Sequence, residues 1–441
     1  MRDAVFALTL IALLPLAAAR PFVGVLLWSW ISFMNPHQLM WGFASSIPWA
    51  QIIFVVTLAG CIAAREPRQF PVNAVTLLLI LLLACVTFTS LVAIGDPARV
   101  WSYWDRVFKV ILGLLLTASL LTDRRRIHAI VWVMVISIGF FSVKGGVFSL
   151  LTGGNYRIWG PPHTMIGDNN HLATAMLVTL PLMNWLRLHS RHRTVRIGLL
   201  VAMGLTVISV VGTYSRGALL ALAAVVAVLW WRSRGKIVSG IMLAACVAGA
   251  VTFMPPQWAE RMETIVNYQQ DESASDRLVV WGISWKIALS RPLTGAGFQA
   301  PYQQAVVDTV QPGGQARAVH SIWFMVLGEH GFPTFLVWLA LNGVGLLLAF
   351  RMVRLTRGRP DLAWAHDLGR MAPVAFVAYA VGGSFLSLAY WDFFWTLIVV
   401  LAATHAIVVR ELARDSAPEA RLAAATGWRR PAIAGTGAAT R

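Results

Sequence analysis

The chain has 441 residues, of which 58% are hydrophobic and only 12% charged. A soluble domain carries about twice that share of charge, and here the apolar residues fall in blocks of roughly 15–25, the length that crosses a bilayer as a helix. The net charge of +17 does not indicate nucleic-acid binding, because the basic residues gather in short connections between apolar blocks, the pattern that sets membrane orientation.

In chain order, spans are predicted near 5–19, 21–34, 50–64, 72–94, 107–122, 127–150, 171–187, 195–212, 217–231, 236–254, 322–350, 372–389 and 392–409. Strict apolar–polar alternation is absent, which excludes an outer-membrane barrel. The first block ends in "LAAAR", as a signal peptide does, but the spans that follow favour an uncleaved first helix. Arg20-Pro21 separates the first two blocks, which read as two helices or one broken element. The expected fold is therefore an all-α polytopic integral membrane protein with 12 or 13 transmembrane helices. Cys61, Cys85 and Cys246 lie inside apolar blocks without metal-ligand spacing, so neither a disulfide framework nor a metal site is predicted.

The basic connections are "AREPR" (64–68), "DRRR" (123–126), "RLHSRHRTVR" (187–196), "RSRGK" (232–236) and the Arg-rich stretch 351–370. Reading the spans in order puts all of them on one side, the cytoplasmic one, with the tail after Val409. The other face receives 35–49, 95–106, 151–170, the turn at Arg216, the loop 255–320 and Tyr390-Trp391. The chain divides into an N-terminal transmembrane bundle (1–254), a long periplasmic loop (255–320), C-terminal transmembrane helices (321–410) and a cytoplasmic tail (411–441). The tail, rich in Ala, Arg, Pro and Gly, is expected to be disordered.

A loop this long is uncommon without function. Within it, "SASDRLVVWGISWKIALSRPLTGAG" reads as an amphipathic helix. Ser273 and Asp276 have capping-box spacing. Leu278, Trp281, Trp285 and Ala288 share a face, and Pro292 with Gly295 ends the helix. It is expected to lie on the membrane surface with its tryptophans at headgroup depth.

The outer face collects basic residues that the charge rule disfavours there. They are Arg106, Lys109, Lys144, Arg157, Arg216 and Arg277, together with His320 and the polar pair Asn169-Asn170. An anionic ligand at headgroup level accounts for them, and the planar fork of arginine suits a diphosphate. The alternative is that each side chain snorkels to lipid or pairs with a carboxylate. His320 is a candidate general base; it also reads as an interfacial histidine bonded to a headgroup or carbonyl. Glu329, nine residues on, faces the opposite side of a regular helix and is assigned a structural role. No paired carboxylates, H-E-x-x-H, G-x-S-x-G or Walker motif is present. Asp271, Glu272 and Asp276 are the only clustered outer carboxylates, and they read as a solvated turn.

Three motifs coincide in order. "TYSRGA" (213–218) resembles the S-R-G turn of the bacterial O-antigen ligase and polymerase superfamily. "RLVVW…RPLTGAG" (277–297) resembles its Arg-x3-Trp…Pro-Leu-x-Gly-x-Gly signature, and "HSIWFMVLGEHG" (320–331) its His-Asn/Ser…Glu-x-Gly element. "KGGVFSLLTGGNYRIWGPP…DNN" (144–170) is similar to the O-glycosylation ligases associated with exosortase A systems. The resemblance covers most of the chain before about residue 410. It implies a GT-C-like, multi-pass inner-membrane glycosyltransferase with its active site facing the periplasm. The implied donor is a glycan on undecaprenyl diphosphate, and the implied acceptor is a hydroxyl of a glycan, lipid or protein. No metal, nucleotide or other cofactor is implied, and inversion is expected. By motif, His320 is the base, while Arg216 and Arg277 hold the diphosphate and stabilise the leaving charge. Lys144, Arg157, Asn169, Asn170, Arg106, Lys109 and Trp281 are the expected diphosphate- or glycan-binding residues. A polymerase of the same superfamily shares donor and chemistry. A secondary transporter, the reading from another class, predicts charges near the bilayer midplane instead.

Overall fold

The computed structural model describes residues 1–64, 66–233, 235–237, 240, 241, 249, 252–263 and 272–425. No strand occurs among them, and the chain is an all-α polytopic membrane protein. Its first nine helices are α1 (Arg2–Ala19), α2 (Pro21–Met34), α3 (Trp49–Ala63), α4 (Ala74–Leu91), α5 (Pro97–Leu120), α6 (Arg124–Leu151), α7 (Asn169–His189), α8 (Arg193–Gly212) and α9 (Arg216–Arg232). There follow α10 (Pro256–Glu263), α11 (Glu272–Ser290), α12 (Gln304–Val310), α13 (Ile322–Leu355), α14 (Ala363–Gly383) and α15 (Asp392–Ala425). Helices thus stand at every predicted span except 236–254, which lies largely outside the described residues. Among the described helices, six are both long and apolar enough to cross a membrane: α1, α4, α6, α8, α13 and α15. The others are shorter or less apolar.

Local chemistry sets the helix starts. Asn73 caps α4 through a reciprocal capping box with Thr76. Asp123 accepts from the backbone of Arg125 and Arg126 at the head of α6, and Asp168 accepts from Asn170 at the head of α7. Arg20 ends α1 and Pro21 opens α2, so the N-terminal segment is two helices. They form an antiparallel pair, because Asp3 accepts from Gly42 and Ala44, beyond the far end of α2.

The connections separate to two ends of the bundle. At one end Glu66 meets Arg126, His189 meets Asp367, and Arg232 and Arg410 donate to the carbonyls of Arg370 and Thr122. At the other end Ile94 N–H donates to Ala296, Asp96 N–H to Gln303, Tyr214 to Gly154 and His320 N–H to Ser387. These are the two loop sets that counting spans assigns to opposite sides.

The centre is built by α7, α14 and α15, where Trp185 Nε1 donates to the Trp364 carbonyl at 2.7 Å. Gly145 and Gly146 let α6 press onto α8: a Cβ on Gly146 would stand 2.4 Å from the Leu205 carbonyl oxygen. Helix packing is therefore what the Gly-Gly of "VKGGVF" serves, and Lys144 beside it is exposed.

Beyond residue 410, α15 runs on to Ala425; its Ala, Leu, Glu and Arg are strong helix formers. Residues 426–441 lie outside the described set. In α11, Ser273 is already the second helical residue rather than a cap. Its buried face is Val280, Ile283, Ser284, Ile287 and Ala288, while Leu278 and Trp285 are exposed. The helix packs against α13, so contact with protein rather than lipid selects the buried face.

In a cysteine-free background, a membrane-impermeant thiol reagent is expected to label Asn155→Cys and Pro312→Cys from the periplasm. Arg125→Cys and Arg191→Cys should react only after lysis. All four positions are exposed, and labelling of both pairs from one side would refute the arrangement.

Candidate active site

The turn between α8 and α9 is locked from several directions. Thr213 Oγ1 donates to the Val210 carbonyl, Tyr214 takes a left-handed backbone (φ 58°), and Ser215 caps α9 through Ala218 N–H at 3.1 Å. Loop 151–168 and the head of α7 clamp it: Ile158 N–H donates to Gly212, Tyr214 OH to Gly154, and Asn169 Nδ2 to Thr213. Arg216 therefore leaves a rigid turn as the first residue of α9.

Arg216, Arg261, Arg277, Asn170, Thr174 and Phe385 line one narrow cleft. The arginines crowd each other. Burial lowers the pKa of Arg261, and the charges of Arg157 and Arg277 lower it further. Burial also lowers that of Arg277, while Asp168 opposes the shift. Among the described residues nothing accepts a hydrogen bond from the buried Arg277 Nε, or pairs with the buried Thr174 Oγ1. Orphaned donors beside massed positive charge are what an anion would satisfy.

His320 does not line the cleft but lies close enough to Arg277 for its charge to act on it, and has a left-handed backbone (φ 47°), uncommon for a residue with a Cβ. It is held from both sides. Its N–H donates to Ser387 Oγ at 3.1 Å, and the preceding carbonyl, of Val319, accepts from Trp281 Nε1 at 2.8 Å. Trp281 in turn stacks on Phe324. Burial pushes the His320 pKa down to about 4, helped by the positive charge of Arg277 and by His171, and opposed by Asp168. The imidazole is neutral near pH 7 and able to accept a proton. Asp168 remains a carboxylate: burial disfavours its charge, but hydrogen bonds from His171 and Asn170 hold its pKa well below the usual range.

The segment 291–297 and the stretch 328–331 form one joint. Ala296 N–H and Gly297 N–H donate to the carbonyls of Gly328 and Glu329, and Phe332 N–H to Pro292. Gly331 breaks the helical path of α13 with φ 72°. A Cβ on Gly295 (φ 59°) would stand 2.5 Å from the Glu329 carbonyl. The Glu329 carboxylate is buried and accepts from Gln299 N–H and Tyr390 OH, both at 2.9 Å. These bonds tie α13 to Gln299 and to Tyr390.

Of the residues predicted from sequence, Arg216, Arg277, His320 and Asn170 come together. Asn169 braces the turn, and Arg157 lies over the rings of Tyr214 and Trp159 at 5.7 Å, beside Arg261. Trp281 supports the backbone at His320. Lys144 and Lys109 do not line the cleft, and Lys109 pairs with Asp105 on an exposed helix face. Arg106 lines a different pocket. Asp276 pairs with Arg317 in solvent, Asp271 lies outside the described residues, and the Glu272 side chain is not described. Sequence reasoning missed Arg261, His171 and Ser387. Arg261 carried a signal, being another arginine on the disfavoured side.

Residues 200–339 match the O-Antigen ligase family. That supports the O-antigen ligase superfamily and a glycosyltransferase-like membrane enzyme of ligase or polymerase type. Residues 1–191 match the Family of unknown function (DUF5935). No curated protein matches the chain. The segment matching the O-Antigen ligase family holds Arg216, Arg261, Arg277 and His320, while Asp168 and Asn170 come from the DUF5935 match and Phe385 and Ser387 from beyond both. The cleft is a composite of all three segments.

Gly295→Ala is expected to destabilise the protein by about 1–3 kcal/mol, read as a lowered thermal midpoint in detergent. Trp281→Phe keeps the ring stack but loses one hydrogen bond, roughly 1 kcal/mol. It should lower turnover about fivefold with little change in thermal midpoint; unchanged turnover would remove Trp281 from the positioning of His320.

Proposed function

We propose that this chain is a glycosyltransferase moving a glycan from undecaprenyl diphosphate to an acceptor hydroxyl at the periplasmic face of the bacterial inner membrane, in the manner of the exosortase-associated O-glycosylation ligases. The observation that carries the reading is the convergence of Arg216, Arg261 and Arg277, with an orphaned guanidinium donor, beside a neutral histidine. In the reaction His320 takes the proton from the acceptor hydroxyl. The acceptor oxygen bonds to the anomeric carbon as the bond from that carbon to the diphosphate oxygen breaks. The electron pair stays on the diphosphate, where the arginines balance it. A single displacement inverts the anomeric centre, and the arginines supply the charge stabilisation that a metal would otherwise provide. The acceptor is a glycan, lipid or protein hydroxyl. The massed charge at one end, rather than at the midplane, argues against a transporter.

The product that accumulates on deletion distinguishes the two enzyme readings. Long polymer left on the lipid carrier supports a ligase; single repeat units would replace that reading with a polymerase. His320→Ala should lower transfer by about 10²–10⁴ while lipid-linked donor still binds, and full activity in a folded variant would sink the base assignment. The basic form of His320 is lost as pH falls through about 4. The acid limb of kcat/KM should therefore lie near pH 4, and rates should be flat between about 6 and 8 as far as this group is concerned. A limb at the ordinary histidine value near 6.5 would place the titrating group elsewhere.

A further inference from the structure

A second pocket lies at the same end of the bundle as the arginine cleft. It is formed by the end of α2, the first half of α5, the tip of loop 160–167 and the head of α15, and encloses a cavity of about 190 Å³. Its polar lining is Ser32, Asn35, Arg106, His163, Thr164 and Asp392. Asp392 is almost fully buried and accepts from Ser32 Oγ and from Phe393 N–H. A carboxylate has about four acceptor positions, so these two bonds leave capacity toward the pocket. Arg106 lies over the Tyr103 ring at 5.5 Å, close enough for its charge to act on Asp392.

The loop that closes the pocket is shaped with care. Gly160 N–H donates to the Gly167 carbonyl and Gly167 N–H to Thr164, while a Cβ on Gly160 would stand 1.8 Å from the Ile166 carbonyl oxygen. His163, at the tip, has φ 59°. Asn35, across the pocket, is also left-handed, at φ 51°. At Asn35 this is the cap that ends α2; at His163 it turns the loop tip toward the pocket lining.

Two separate segments run from the arginine cleft into this pocket. One passes from Asn170 and Asp168 back to Thr164 and His163. The other starts at Phe385 and Leu386, passes Ser387, which anchors His320, and reaches Trp391 and Asp392. The cleft and the pocket are thus flanked by the same two chain segments. The pocket is not a second phosphate site, because a buried carboxylate repels an anion and only one arginine lines it. Its mixture of acceptors and donors suits hydroxyl groups, which both give and take hydrogen bonds.

We propose that this pocket is the subsite for the hydroxyl-rich sugar of the lipid-linked donor, with Arg106, Asp392 and His163 reading its hydroxyls. The inference rests on the glycosyltransferase reading above and names the part of the donor that the arginines do not hold.

The test uses the full chain in nanodiscs and two probes: bare undecaprenyl diphosphate, and the lipid-linked glycan that accumulates in cells lacking the chain. Arg106 is exposed, so Arg106→Ala is expected to fold. It should weaken binding of the glycan-bearing probe about tenfold and leave the bare diphosphate within twofold. Asp392→Asn, which keeps size and removes charge, should act in the same direction. Arg216→Ala should weaken both probes alike; if it leaves both unchanged, the arginine-cleft reading fails while the comparison between probes still reads the pocket. Equal loss for both probes in Arg106→Ala would make the pocket an anion site and overturn the proposal. Unchanged donor binding, with or without a raised KM for the acceptor, overturns it too, as does a wild-type chain that binds neither probe.

Discussion

The geometry of the cleft depends on the joint between segment 291–297 and the kink of α13. Backbone N–H groups of Ala296 and Gly297 close on the carbonyls of Gly328 and Glu329, with the Glu329 carboxylate drawn to Gln299 and Tyr390. Such an approach is possible only where Cβ atoms are missing, which is why glycines stand at 295 and 331, while Gly297 (φ 96°) makes room for Ala93. The joint ties the end of α11 to α13. Arg277 lies on the first and His320 just ahead of the second, so their separation is set by backbone hydrogen bonds rather than by flexible side chains. Arg291 extends the joint to the end of α4 by donating to Val92 and Gly295.

On that frame the chain assembles an electrostatic arrangement that is unfavourable when empty. Partly buried guanidiniums repel one another, and one donates to nothing among the described residues. Burial and the adjacent cations keep His320 neutral, while Asp168 holds its charge through His171 and Asn170. A dianionic group entering the cleft relieves the repulsion and moves the histidine toward greater basicity, since it reverses the sign of the nearby field. In the proposed reaction, donor binding and the basicity of His320 are coupled through one set of charges.

The helical fold was legible because a bilayer imposes a length and an apolar composition that show directly in a sequence. The segregation of loops was legible for the same reason, through the distribution of Arg and Lys. Arg216, Arg277 and His320 were legible as charges on the disfavoured side, within motifs. That rule counts sides and knows nothing of neighbours. It selected Lys109, which only pairs with Asp105, and Lys144, whose adjacent glycines serve the contact with α8. Arg261 obeyed the same rule but sat in no motif. His171 and Ser387 carried no signal, since a histidine after an Asn pair and a serine in a short connection are ordinary until the fold brings them to the site.

The sequence by itself determined that this is a helical membrane protein, which connections share an end, and which basic residues need an explanation. These follow from one-dimensional properties: apolar length, charge placement and the spacing of motifs. Only the tertiary structure decided which of those charges meet. It set Arg261 among the arginines, sent Arg106 to a separate pocket with Asp392, and turned Trp281 into a support for His320. The reason is that proximity across the bundle comes from how helices pack and loops close, and residues far apart in the chain carry no local mark of it.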